Sequence, residues 1–243
     1  MNIRFDLRFD GTDYHGWQEQ PDKPTIQGIL RETLTKVTGE DTCLTGCGRT
    51  DAGVHASGYV CNIKTNSTIP CERFPYALNT FLPDDIIVTS AEYVGDDFCS
   101  ARSSKAKTYR YTIDNSEFPN IFLNRYAWHY KYPLDIEKMR RAAEHFIGTH
   151  DFIGFAASGF TVKTTVRTIY SLKIEKTGNI INIDVTGSGF LYNMVRIIAG
   201  TLVYAGGGKI DPDSVSDIIA SKDRRRAGIT APAKGLCLKE VFY

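Results

Sequence analysis

No stretch of this 243-residue chain approaches the roughly 18 consecutive apolar residues that a membrane-spanning helix needs. The opening residues, Met1 to Asp10, alternate charged and apolar side chains and lack the basic-then-apolar run of a signal peptide. The protein is therefore expected in the cytoplasm, and the sequon Asn66-Ser67-Thr68 reads as a chance match. Charge of one sign is also missing: 29 Lys and Arg against 28 Asp and Glu leave a net +1. Nucleic-acid binders are often strongly basic, so any RNA surface must be a local cluster offset by acidic residues elsewhere. The six cysteines contain no Cys-x-x-Cys pair. Cys43 and Cys47 have no second Cys or His pair to complete a zinc site. The six read as small, partly buried thiols rather than a disulfide frame.

Several active-site classes are missing as well. Ala205-Gly206-Gly207-Gly208-Lys209 follows a helix, not a strand, and Lys209 precedes Ile. It reads as a helix stop, not a phosphate loop. No glycine fingerprint for a dinucleotide opens a helix after a strand, and there is no Gly-x-Ser-x-Gly elbow. The five histidines are scattered, with His145 and His150 flanking Gly148 at an expected helix end.

What is present suits a folded core: 42% hydrophobic and 23% charged residues, with length for two modest domains or one large one. Residues 3 to 9 alternate with period two and predict a strand. Pro24-Thr25 opens a helix with Ile26, Ile29, Leu30, Leu34 and Val37 on one face, and Gly39 closes it. An extended region over 44–64, a short helix over 75–81 and a strand over 86–94 follow. After a Ser/Arg/Lys-rich crossover the order repeats. A strand over 108–113 leads to a helix from Asp135 to a stop at Gly148, then strands over 170–175 and 179–186 joined at Thr177-Gly178. A long apolar helix over 190–204, a last helix capped by Asp211-Pro212 and a strand over 236–242 complete the chain. Each half mixes strands with two helices, so the expected fold is α+β, with helices on one face of an antiparallel or mixed sheet. The expected halves are 1–104 and 105–243.

Three segments carry candidate chemistry. In Gly46-Cys47-Gly48-Arg49-Thr50-Asp51-Ala52-Gly53-Val54-His55-Ala56, three glycines interrupt strand-like sequence. The segment is either a tight turn with a solvated Arg49–Asp51 pair or a glycine-shaped loop bearing a catalytic carboxylate. In 105–111, Tyr109 and Tyr111 share one face of a strand and Arg110 takes the other. That pattern suits a core strand, or an aromatic that stacks on a base with cations nearby for phosphate. In 187–196, Arg196 sits among apolar helix residues, where it must snorkel or find a carboxylate.

Together these segments resemble one family. Gly48 to His55, Lys107-Thr108-Tyr109-Arg110-Tyr111 and Gly189-Phe190-Leu191-Tyr192-Asn193-Met194-Val195-Arg196 are similar to the signature segments of the TruA family of tRNA pseudouridine synthases. Phe9 to Gln18 and Ala233 to Leu236 fit too, in order. The resemblance implies two ferredoxin-like (RRM-like) halves, sheets side by side around a central basic cleft, and a homodimer. It implies isomerisation of uridine to pseudouridine at positions 38, 39 and 40 of the tRNA anticodon stem-loop, with no metal and no cofactor. By similarity, Asp51 is the nucleophile, Tyr109 packs on the target base, Arg196 pairs with Asp51, and Arg49 helps extrude the base. The alternative is a catalytically idle RNA-binding protein, which explains basic patches and aromatics but not a carboxylate that repels phosphate.

Overall fold

Period-two alternation at the N-terminus becomes strand β1 (Asn2–Phe9) in the computed structural model, which describes residues 1–159 and 162–243. Ile3, Phe5 and Leu7 are fully buried. Helix α1 (Ile26–Thr38) starts where Thr25, in an extended conformation, accepts the Gly28 amide on its side chain. It stops where Gly39 turns left-handed at φ 75° and returns its N–H to Thr35 O. Strand β2 (Thr45–Gly46) pairs antiparallel with β3 (His55–Lys64), which also pairs with β1. Helix α2 (Phe74–Asn79) covers the buried face of β1, with Phe74 edge-on to Phe5 at 5.6 Å. Strand β4 (Ile86–Val94) closes the other side of β1. The strand order is β4-β1-β3, with β2 beside β3.

A second unit begins at Ala106, after Lys105. Strand β5 (Ala106–Asp114) pairs in parallel with the short β6 (Trp128–His129). Helix α3 (Ile136–Glu144) is capped by the Asp135 side chain. Strands β7 (Gly148–Asp151), β8 (Val166–Thr177) and β9 (Ile180–Gly187) give the order β5-β9-β8-β7. Gly178, at φ 58°, lies in the two-residue turn between β8 and β9. Helix α4 (Met194–Gly206) packs tightly: a Cβ on Gly206 would lie 2.7 Å from Met139 of α3, and one on Gly200 would lie 1.9 Å from Ile229 O. Helix α5 (Val215–Ser221) follows a turn capped by Asp211. The last strand, β10 (Leu236–Phe242), begins in this unit, but Leu238–Tyr243 belong to the first, beside β3.

The structure corrects three local expectations. The helix expected to run to Gly148 ends at Glu144, with His145 as its cap. Gly148, at φ 108°, opens β7 instead, so His150 lies on a strand, edge-on to Phe152. Helix α4 begins at Met194, not near Phe190, because Asn193 turns left-handed there. All six cysteines are free thiols, three of them buried. Among the described residues no helix is long and apolar enough to cross a membrane.

Candidate functional site

In the first unit the 47–54 loop between β2 and β3 carries Arg49 and Asp51, and it is pinned from two directions. Beneath it, Trp17 stacks on Tyr59 with ring centroids 4.1 Å apart. Gly46 lies against both rings, and a Cβ there would sit 2.2 Å from Tyr59 Oη and 2.6 Å from Trp17. The Tyr59 hydroxyl donates to Gly48 O at 2.5 Å, and the Cys47 amide donates to Val60 O at 2.8 Å.

The 11–17 segment holds the loop from its other side. Trp17 N–H donates to Thr50 O, and Gly53 N–H donates to Tyr14 O. Gly16, at φ 86°, has its Cα so close that a Cβ would lie 2.4 Å from Thr50 O. Gly11 approaches Val54 O in the same way, at 2.0 Å. Both positions require glycine. Within the loop the Val54 amide donates to Asp51 O, closing a four-residue turn with Gly53 at φ 75° in the third place. Asp51 is half-buried and Arg49 exposed on this frame.

A polar bracket supports the segment. His55 Nδ1 lies 3.0 Å from both the Gly11 amide and an Asp10 carboxylate oxygen. The Tyr14 hydroxyl donates to Asp85 Oδ1 at 2.5 Å. Burial, with the Asp85 carboxylate, pushes that hydroxyl far above its ordinary range, so it stays a donor.

In the second unit Tyr109 lies on β5, partly exposed, with its ring edge-on to Phe190 at 5.3 Å. Arg110 faces the other way and grips Asp184 of β9 by Nε and Nη2, at 2.7 and 2.6 Å. That bond raises the Arg110 pKa and commits its fork to a cross-strand pair. Tyr111 is fully buried, its hydroxyl donating to Pro232 O at 2.8 Å. Burial drives its pKa far up, opposed by the positive charge of Arg196.

Arg196 is the third residue of α4, so it sits in the first turn and not deep in the helix. It is half-buried, and it is not simply extended toward water. Nε donates to Ala231 O at 2.8 Å and Nη1 to Asn193 Oδ1 at 2.6 Å. Ala231 is itself fixed, because its amide donates to Arg196 O and Gly228 N–H donates to Thr201 Oγ1 of α4.

The structure thus places Arg49 and Asp51 on one loop of the first unit, and Tyr109 and Arg196 on β5 and α4 of the second. Sequence reasoning assigned no role to Trp17, Tyr59 or Asn193. Trp17 and Asn193 stood inside motif segments, whereas nothing local marked Tyr59. The basic run Arg224-Arg225-Arg226 is largely occupied. Arg224 donates to Gly228 O and Thr230, and Arg225 grips Asp223, whose pKa it lowers to about 2. Among the described residues no three His, Cys, Asp or Glu side chains gather as a metal-ligand set.

The first unit thus presents a half-buried carboxylate on a glycine-shaped loop, and the second presents a braced aromatic ring and a guanidinium held by two hydrogen bonds. Comparison with known proteins gives the class. The pattern of one family, described as tRNA pseudouridine synthase, matches residues 7–102 and 142–243. The tRNA pseudouridine synthase A of Thermoanaerobacter sp. (strain X514) is 52% identical over 242 residues, covering 100% of this chain and 99% of that one. That of Acetivibrio thermocellus is 49% identical, and the tRNA pseudouridine synthase A 2 of Clostridium perfringens is 49% identical, each with the same coverage. Among solved structures, a chain of a Cbf5-Nop10-Gar1 complex is similar at TM-score 0.41 and 10% identity, over 98% of this chain and 58% of that one. The chain belongs to the tRNA pseudouridine synthase family. It is an isomerase that converts uridine to pseudouridine in tRNA.

Proposed function

We propose that this isomerase acts on uridines 38, 39 and 40 of the tRNA anticodon stem-loop, with Asp51 as its nucleophile. The observation that carries the reading is the rigid presentation of Asp51, on a loop that Gly11 and Gly16 meet backbone to backbone and whose neighbour Gly46 lies against the Tyr59 and Trp17 rings. The reaction breaks N1–C1′, turns the base and joins C5 to C1′; C5 loses a proton and N1 gains one. Nothing is oxidised and no atom is added, so this chemistry calls for no cofactor. It calls for a carboxylate beside the nucleotide, with the base out of the stack.

The second unit supplies the other roles in this reading. Tyr109 packs on the extruded base, its ring already braced by Phe190. Arg196 has the role of pairing with Asp51 and keeping it ionised, and two of its guanidinium hydrogen bonds go to neutral acceptors, Ala231 O and Asn193 Oδ1. Arg49, exposed beside Asp51, helps extrude the base. The segments 1–104 and 105–243 are the two catalytic halves of this reading. The β-α-β-β-α-β order of the first unit, with strands β4-β1-β3 and β2 at β3, supports ferredoxin-like halves.

The enzyme works as a homodimer in the cytoplasm. Phe118, Ile121 and Phe122 are 77%, 76% and 84% exposed on one ordered turn, and such a patch favours a protein partner. The deciding experiment is nucleoside mapping of unmodified tRNA incubated with the protein alone. Pseudouridine at 38 to 40 supports the reading, and conversion only at other positions overturns it.

A further inference from the structure

We infer that Asn193 is a positioning residue for the isomerisation, whose amide oxygen, with the Ala231 carbonyl, holds the Arg196 guanidinium in one orientation. This rests on the role given to Arg196 above. The starting observation is a residue in the wrong conformation for its place. Asn193 precedes the first residue of α4, where an Asn ordinarily adopts an extended backbone and gives its side-chain oxygen to an amide of the first turn. Instead it lies at φ 59°, ψ 6°, and its side chain makes no capping bond.

Its oxygen goes to Arg196 Nη1 at 2.6 Å. A left-handed backbone is costly for most residues, tolerable for Asn and free for Gly. The backbone work at this position would be done as well by Gly. Asn193 O accepts the Ile197 amide at 3.0 Å, and Met194 N–H donates to Leu191 O at 3.0 Å, neither of which involves the side chain. What distinguishes Asn from Gly here is the oxygen on the guanidinium.

The choice of a neutral acceptor has a consequence. Asn193 and the Ala231 carbonyl hold Arg196 at Nη1 and Nε through neutral oxygens, which set the direction of the guanidinium without themselves adding a negative charge. A carboxylate at 193 would orient the guanidinium too, but it would compete with the anion Arg196 is meant to meet.

The test compares N193G, N193D and R196M by single-turnover rate, tRNA affinity and melting temperature. N193G should melt no lower than the parent, because its backbone is relieved, and should bind tRNA within twofold. Its rate should fall at least tenfold. A merely structural role for Asn193 would lower the melting temperature instead. N193D should fold and lose at least as much rate as N193G. If R196M is inactive while N193G keeps the parental rate, the inference is overturned. If R196M keeps the parental rate, the reading of Arg196 fails instead. Should N193G fail to fold, N193D decides, and a parental rate there overturns the inference.

Discussion

Trp17 stacks on Tyr59 with ring centroids 4.1 Å apart, and the Tyr59 hydroxyl reaches past it to donate to Gly48 O. One aromatic pair thereby fixes the start of the Asp51 loop to strand β3. Tyr59 is fully buried, so Tyr59→Phe strands the Gly48 carbonyl and should cost about 1 to 3 kcal/mol of stability. Its single-turnover rate should fall while tRNA affinity changes little. Denaturant unfolding and rapid-quench assays check both parts, and a parental rate would show that this hydroxyl does not position the loop.

Asp51→Asn keeps shape and loses the charge. The variant should fold, bind tRNA and make no detectable pseudouridine. Turnover within a hundredfold of the parent would remove Asp51 from the chemistry.

On the role proposed for Arg196, replacing it with Met removes the cation that keeps Asp51 ionised and favours the neutral acid form of that carboxylate. The rate should therefore be lowest at about pH 6 and recover in part by about pH 8.5. Arg196→Lys should fall between, since Lys keeps the charge without the planar fork. A parental pH profile in the Met form would show that Arg196 has no electrostatic role.

Salt dependence should be shallower than the basic count implies. Clusters at Arg102, Lys105, Lys107 and Arg110, and at Arg224 to Arg226, suggest many phosphate contacts, but Arg110 grips Asp184 and Arg225 grips Asp223. Neutralising about 3 or 4 phosphates would give a log–log slope of roughly −2 to −4. Arg226→Met should reduce that slope by about 1, and Arg110→Met should leave it unchanged. Fluorescence titrations across salt concentrations would reveal the reverse pattern if paired arginines carried the RNA contacts.

Asp114 anchors the turn that presents Phe118, Ile121 and Phe122. Its carboxylate accepts the Asn120 and Ser116 amides and the Ser116 hydroxyl. Burial pushes its pKa up, but these bonds outweigh it and hold the group below its ordinary value. The folded pKa is depressed, so its contribution to stability is present above the unfolded value of about 3.9 and is lost as pH falls through the folded one. Asp114→Asn should therefore lower the melting temperature at neutral pH and narrow its gap to the parent in acid. An equal gap at all pH values would contradict the assignment.

Much of this was legible in the sequence, because helices and strands begin and end on signals a few residues long. The alternation of β1, the Thr25 and Gly39 caps of α1, and the bounds of β4 and β10 follow from neighbours along the chain. The glycine-rich loop around Asp51 stood out for the same reason. Tertiary structure decided what depends on partners far away in sequence. It decided that Gly11 and Gly16 are glycines because the 47–54 loop passes against them, and that Arg110 belongs to Asp184, 74 residues on. It decided that the run over 190–193 is not helix, since Asn193 turns left-handed and accepts a hydrogen bond from Arg196 on its side chain. It sent Leu238–Tyr243 back to the first unit beside β3. A period or a cap is a property of adjacent residues, whereas a hydrogen-bond partner is settled only when the packed chain brings two distant segments into register.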